Sequence, residues 1–174
     1  RGFSQQYNLG VEAGTNQSSF RFSTGYVGSD GVVPNTGYER LTFRLTGSTK
    51  LGQKVNLSSS WSYMLSKNDK VPKGAGSYYN TLITWPQDDD ASQYINSDGS
   101  RKTIRTITNL ATEFDNPYWD VNKNKSQDRT DRLTGNVNMS AELAKWLTMN
   151  TIVGLDHFAT EGNYVTHPHS RFGF

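Results

Sequence analysis

Glu39-Arg40-Leu41-Thr42-Phe43-Arg44-Leu45-Thr46 and Asn56-Leu57-Ser58-Ser59-Ser60-Trp61-Ser62-Tyr63 decide the fold. In the first stretch Leu41, Phe43 and Leu45 alternate with Arg40, Thr42 and Arg44; in the second Leu57, Trp61 and Tyr63 alternate with Ser58, Ser60 and Ser62. A period of two places the apolar set on one face of a strand and the polar set on the other. Working outward, the alternation returns in Tyr7, Leu9, Val11 and Ala13, and in Phe20, Phe22, Thr24 and Tyr26. It returns again in Leu133, Val137, Met139 and Ala141, and in Leu147, Met149, Val153 and Leu155, where Ile152 interrupts it. Strands are predicted over residues 6–13, 19–27, 39–49, 55–66, 131–143 and 147–158. All exceed the ~5–6 residues usual in a soluble sheet. They match the ~9–11 residues with which a tilted strand crosses a bilayer. Their polar faces carry Ser, Thr, Asn and Arg in series, as a hydrated lumen wall does. The expectation is an all-β chain: a segment of an antiparallel, up-and-down transmembrane β-barrel.

The connections support this. Residues 15–18, 51–54 and 144–146 are short turns, whereas 29–38 and above all 67–130 are long, and 159–170 is again polar. Membrane barrels have tight periplasmic turns at one end and longer extracellular loops at the other, so loop 67–130 is expected outside the cell. Aromatic residues near predicted strand ends (Tyr7, Phe20, Tyr26, Tyr38, Tyr63, Trp146 and Phe158) are candidates for interfacial girdles.

Composition excludes several classes. The chain has 174 residues, 33% hydrophobic, and a mean hydropathy of -0.71. No run reaches the ~18 apolar residues of a membrane helix, and an aromatic share of 12% is too high for a chain disordered throughout. A net charge of +2 lacks the basic excess of a nucleic-acid binder. No cysteine is present for disulfides or zinc-thiolate sites. Six strands cannot close a membrane barrel, whose bacterial members have at least about eight, so this segment is expected to belong to a longer protein.

Several further stretches point to a family. Gln5-Gln6-Tyr7-Asn8-Leu9, Gly14-Thr15 and Phe20-Arg21-Phe22-Ser23-Thr24-Gly25-Tyr26 come first, followed by Gly31-Val32-Val33-Pro34-Asn35-Thr36-Gly37-Tyr38-Glu39-Arg40. Trp85-Pro86-Gln87, Tyr94-Ile95-Asn96-Ser97-Asp98-Gly99, Asp115-Asn116-Pro117-Tyr118-Trp119, Arg132-Leu133-Thr134-Gly135-Asn136-Val137 and Trp146-Leu147-Thr148-Met149 complete the order. Together they resemble the early barrel of SusC/RagA-like TonB-dependent transporters of Bacteroidetes outer membranes. The resemblance implies a barrel of about 22 strands, with the plug and TonB box outside this sequence. It also implies import of glycan or peptide oligomers, a SusD-like surface lipoprotein as lid, and coupling to TonB through the N-terminal part that is absent here. No covalent chemistry is expected of such a segment, so it is not expected to be an enzyme, and no nucleic acid is expected as a partner.

The long loop holds Tyr78, Tyr79, Trp85, Tyr94, Phe114, Tyr118 and Trp119. These rings either pack against the barrel mouth and neighbouring loops or meet a partner or ligand; Trp85, Tyr94, Tyr118 and Trp119 are the binding candidates. Arg21, Arg40, Arg44 and Arg132 are expected on the lumen side, facing an anionic substrate, plug acids or carboxylates of other strands. Asp88, Asp89 and Asp90 offer oxygen to calcium, but adjacent side chains diverge and no glycine-containing loop spacing follows. A solvated acidic loop is expected there, with no metal or cofactor. His167-Pro168-His169 supplies too few ligands for a tight transition-metal site. Two other architectures stay open: a soluble secreted β-sandwich binding carbohydrate through Trp85, Tyr118 or Trp119, and a small self-contained outer-membrane barrel with two further strands in the long loop, where Thr103–Thr112 is the only plausible candidate.

Overall fold

A computed structural model describes residues 2–71, 77–103 and 115–171. It contains one six-stranded antiparallel sheet in which each strand pairs with its sequence neighbour. The strands are β1 (Ser4–Gly14), β2 (Ser18–Asp30), β3 (Gly37–Leu51), β4 (Val55–Lys70), β5 (Lys125–Ala144) and β6 (Leu147–Val165). Two short helices, α1 (Tyr78–Thr84) and α2 (Pro117–Lys123), lie between β4 and β5. The order β1-β2-β3-β4-β5-β6 is an up-and-down meander, and the sheet is not closed. The segment near Thr103–Thr112 falls almost wholly outside the described residues, and Thr103 itself is not in a strand.

Register fixes the two faces. Val11 pairs with Phe22, Phe22 with Leu45, Leu45 with Trp61, Trp61 with Gly135 and Gly135 with Leu155. Directly opposed residues share a face, so this row and its neighbours two residues away form one apolar surface. Gly135 has a packing role there, because a Cβ at this position would overlap the Trp61 ring. One residue along each strand lies the polar face, with rows such as Gly25–Thr42–Met64–Arg132 and Ser48–Ser58–Asn138. Ile152, which interrupts the alternation in the sequence, sits on the polar face opposite Asn138.

The apolar surface is exposed. Leu9, Val11, Val153 and Leu155 are all open, with Val153 at 65%. Its margin towards the long connections is a charged row, Glu39–Lys67–Arg129–Glu161. Next to that row Tyr7 and Tyr26 stack with ring centroids 6.4 Å apart. The band also drifts across the sheet. The row of Tyr7, the first apolar residue on β1, reaches Ala159 on β6, where the band begins only at Leu155. The row of Ala13 reaches Val153, and there the band continues to Leu147. The shift is roughly one residue per strand, the kind of stagger that accompanies strand tilt in barrels.

Two expectations change. The strands run further than the alternation indicates: β4 continues to Lys70 and β5 begins at Lys125, so the connection is 71–124 rather than 67–130. Beyond Ser66 neither face is apolar, and the ladder is supported by polar side chains instead. Gln127 Nε2 donates to Asp69 Oδ1 at 2.6 Å, and Lys70 pairs with Asp128. The girdle set also divides by parity. Tyr7, Phe20, Tyr26 and Tyr63 lie on the apolar face, while Tyr38 and Phe158 lie on the polar face, opposite Asn68 and Arg132. Trp146 occupies the β5–β6 turn and is 84% exposed.

Candidate functional site

The long connections gather at one end of the sheet into a small packed module. Helix α2 organises it. Asn116 is its N-cap and accepts from the N–H groups of Tyr118 at 2.8 Å and Trp119 at 3.3 Å. Pro117 occupies the first turn, where its missing N–H costs nothing. The Asn-Pro-Tyr-Trp element is therefore a helix start, with Asn116, Pro117 and Trp119 the most deeply buried side chains among the described residues. Val33 of the β2–β3 loop packs with Tyr78 of α1, Val121 of α2 and Val71. Asn35, held at φ 58°, donates to the Val121 carbonyl at 3.0 Å and to Asn122 Oδ1 at 2.9 Å.

The segment after β6 closes the module. Asn124 Nδ2 donates to Asp120 Oδ1 at 2.7 Å, while its Oδ1 accepts from the His167 N–H at 2.9 Å and the Ser170 hydroxyl at 2.8 Å. Trp119 Nε1 donates to Ser170 Oγ at 2.9 Å, and the His167 ring stands edge-on to the indole at 5.1 Å. Asp115 accepts from the Arg171 N–H and is ion-paired with the buried Arg101. Burial pushes the Asp120 carboxyl above its ordinary value, partly offset by the bond from Asn124. Burial, then the Tyr118 hydroxyl, push the Tyr78 phenol up to about 12.

The four aromatic candidates take different places. Trp119 is 1% exposed and Trp85 6%, so both rings are packed inside the module, which is one of the two outcomes expected of them. Tyr94 meets Trp119 edge-on at 6.4 Å, and Tyr118 meets Tyr78 at 5.9 Å; both are half-buried. Ile95–Gly99 forms a tight turn with Gly99 at φ 81°, a conformation glycine adopts without strain. Asp98 accepts there from Ser100, which holds its carboxyl below the usual range. In the acidic tract Asp89 accepts from Lys102 Nζ at 2.7 Å and Asp90 from Ser92 at 2.9 Å and 2.7 Å. Among the described residues no group of three or more His, Asp or Glu side chains is placed to hold a metal ion.

The polar face of the sheet forms the second candidate site. A hollow of about 910 Å³ lies over β1 to β5 and is lined by Arg21, Arg40, Arg44 and Arg132, so the four arginines singled out in the sequence come together. Arg132 makes a two-pronged pair with Asp156, Nε to Oδ1 at 2.9 Å and Nη2 to Oδ2 at 2.5 Å. Arg21 lies 3.6 Å from Glu12 with both side chains mostly exposed, an arrangement worth little in water. Ser23, Thr42, Ser62 and Thr134 add hydroxyl-bearing side chains to the same lining.

Sequence reasoning did not find the polar network of Asn116, Asp120, Asn124 and Ser170. The Asn-Pro step before an aromatic run was the available signal, as a cap followed by a first-turn proline. Nothing local announces that Ser170 reaches Trp119 across 51 positions of chain. No protein-family model matches the chain, and no curated protein matches it.

Proposed function

We propose that this sheet is part of the membrane-spanning wall of an outer-membrane transporter of the SusC/RagA-like, TonB-dependent kind. In this reading the wall admits glycan or peptide oligomers, with a SusD-like lipoprotein on the loop module and TonB acting through a plug elsewhere in the protein. The observation that carries the reading is the two-faced sheet of long strands, with an exposed apolar band on one side and a hydrated, arginine-bearing hollow on the other. A soluble protein rarely leaves so large an apolar face uncovered, whereas lipid suits it.

The drift of the band supports the same reading. A band lying level with a bilayer while stepping about one residue per strand requires tilted strands. With ~3.3 Å of rise per residue and ~4.8 Å between strands, the tilt is about 35°, within the range of membrane barrels. Short turns at 15–17, 52–54 and 145–146 occupy one end, and the folded loop module the other. The charged row and the Tyr7–Tyr26 stack fall where the band meets that module, as interfacial residues do. Strand edges exposed to lipid cost several kcal/mol per unpaired group, so β1 and β6 require neighbouring strands in this setting.

The test is the intact mass of the native polypeptide extracted with detergent from an outer-membrane fraction. A mass several times 19.5 kDa is expected. A polypeptide of about 19.5 kDa, or one recovered in the soluble fraction, would overturn the proposal.

A further inference from the structure

We propose that the arginine-lined hollow binds a carboxylate-bearing oligosaccharide. The inference deepens the transporter reading by naming the ligand class of the wall. Charge accounting across the face carries it. The polar faces of β2, β3 and β4 hold Arg21, Arg40, Arg44, Lys50 and Lys70 and no carboxylate, and Lys70 is paired with Asp128 of β5. Arg132 is neutralised by Asp156, and Arg21 has Glu12 nearby. Among the described residues Arg40 and Arg44 meet no acidic partner. They lie four residues apart on one strand and flank Thr42, about 13 Å from each other. Arg21, on the adjacent strand opposite Thr46, extends the basic strip to roughly 20 Å.

The rest of the lining decides between an acidic sugar and an acidic peptide. Ser23, Thr42, Ser62 and Thr134 supply hydroxyls that both donate and accept, matching the hydroxyl-rich rim of a sugar. Peptides are recognised through side-chain pockets, strand addition or arginine clusters that read acidic motifs; the arginines here suit either ligand, and the hydroxyls of the lining favour the sugar. The lining also has no aromatic ring on which a neutral sugar could stack. Guanidinium forks donate to carboxylates in a planar, two-pronged fit, so charge replaces stacking as the source of affinity.

The experiment uses the native full-length protein in detergent, titrated separately with an oligogalacturonate, a neutral malto-oligosaccharide and oligoglutamate. Oligogalacturonate is expected to bind most tightly and to weaken as salt rises. The Arg40→Gln/Arg44→Gln variant is expected to lose tenfold or more of that affinity, with its circular dichroism and melting temperature unchanged. Equal binding of the neutral sugar, tighter binding of oligoglutamate, or an unaffected variant would each overturn the inference. So would a variant that melts earlier while binding as before, since the arginines would then pair with another part of the same protein. Outer-membrane extraction reads the transporter proposal separately, so failure of either is distinguishable.

Discussion

Placing a charge at Val137 should discriminate the two faces within a single step of the chain. Val137 lies on the apolar face between Ser59 and Val153. It stands four residues from Leu133 and four from Ala141, the outer apolar positions of β5. Each interval is about 13 Å along the strand, or roughly 11 Å of depth once tilted by about 35°. Val137 thus sits near the middle of a band close to the ~25 Å typical of membrane barrels. An arginine facing lipid at that depth costs about 2–4 kcal/mol, falling to about 0–1 kcal/mol near an interface. Val137→Arg should therefore lower the folding free energy in phospholipid vesicles by about 2–4 kcal/mol. Asn136→Arg, one residue away between Ser60 and Gly154 on the polar face, should cost little. Leu147→Arg, beside the short turn at the band's margin, should cost no more than about 1 kcal/mol. Reversible denaturant titration of the native protein in vesicles, followed by heat-modifiable mobility, reads all three. Equal costs at 136 and 137 would refute the assignment of faces. Equal costs at 137 and 147 would refute a bilayer and favour a second sheet packed on this one.

Three further outcomes follow from particular contacts. Asn116→Ala removes the cap from the Tyr118 and Trp119 N–H groups and should destabilise the loop module by about 1 kcal/mol, with faster amide exchange over α2 and little change in the sheet. Gly135→Val places atoms in the space of the Trp61 ring and should cost about 1–3 kcal/mol while altering the tryptophan emission. Asp120 ionises less readily when folded than when unfolded, so its contribution is most favourable below the ordinary carboxylate pKa of 3.8 and is lost as pH rises through its higher folded value. Asp120→Asn should flatten that part of the pH dependence of α2 protection in hydrogen exchange, and unchanged slopes would contradict the buried-carboxylate assignment.

The candidate site was legible to different depths. Arg21, Arg40, Arg44 and Arg132 could be placed on one wall because parity along a strand is local information, and the register then brings all four to one hollow. The pairing of Arg132 with Asp156 could not be read, since it depends on how β5 and β6 align. The aromatic residues of the long connection could be expected to pack or to bind. Their separation into buried Trp119 and Trp85 and half-buried Tyr94 and Tyr118 needed the partners that surround them.

The sequence alone determined the six strands, their faces and the alternation of short and long connections, because a period of two is written in successive side chains. It did not determine where strands end when neither face is apolar. Lys67–Lys70 and Lys125–Thr130 join the ladder through backbone pairing and cross-strand polar bonds that only the register reveals. Tertiary structure alone decided the loop module, in which Val33, Asn35, Trp119, Asn124 and Ser170 meet from three separate connections. Those contacts are long-range, and their free energy lies in desolvating a small core and satisfying its buried polar groups together, which no local pattern encodes.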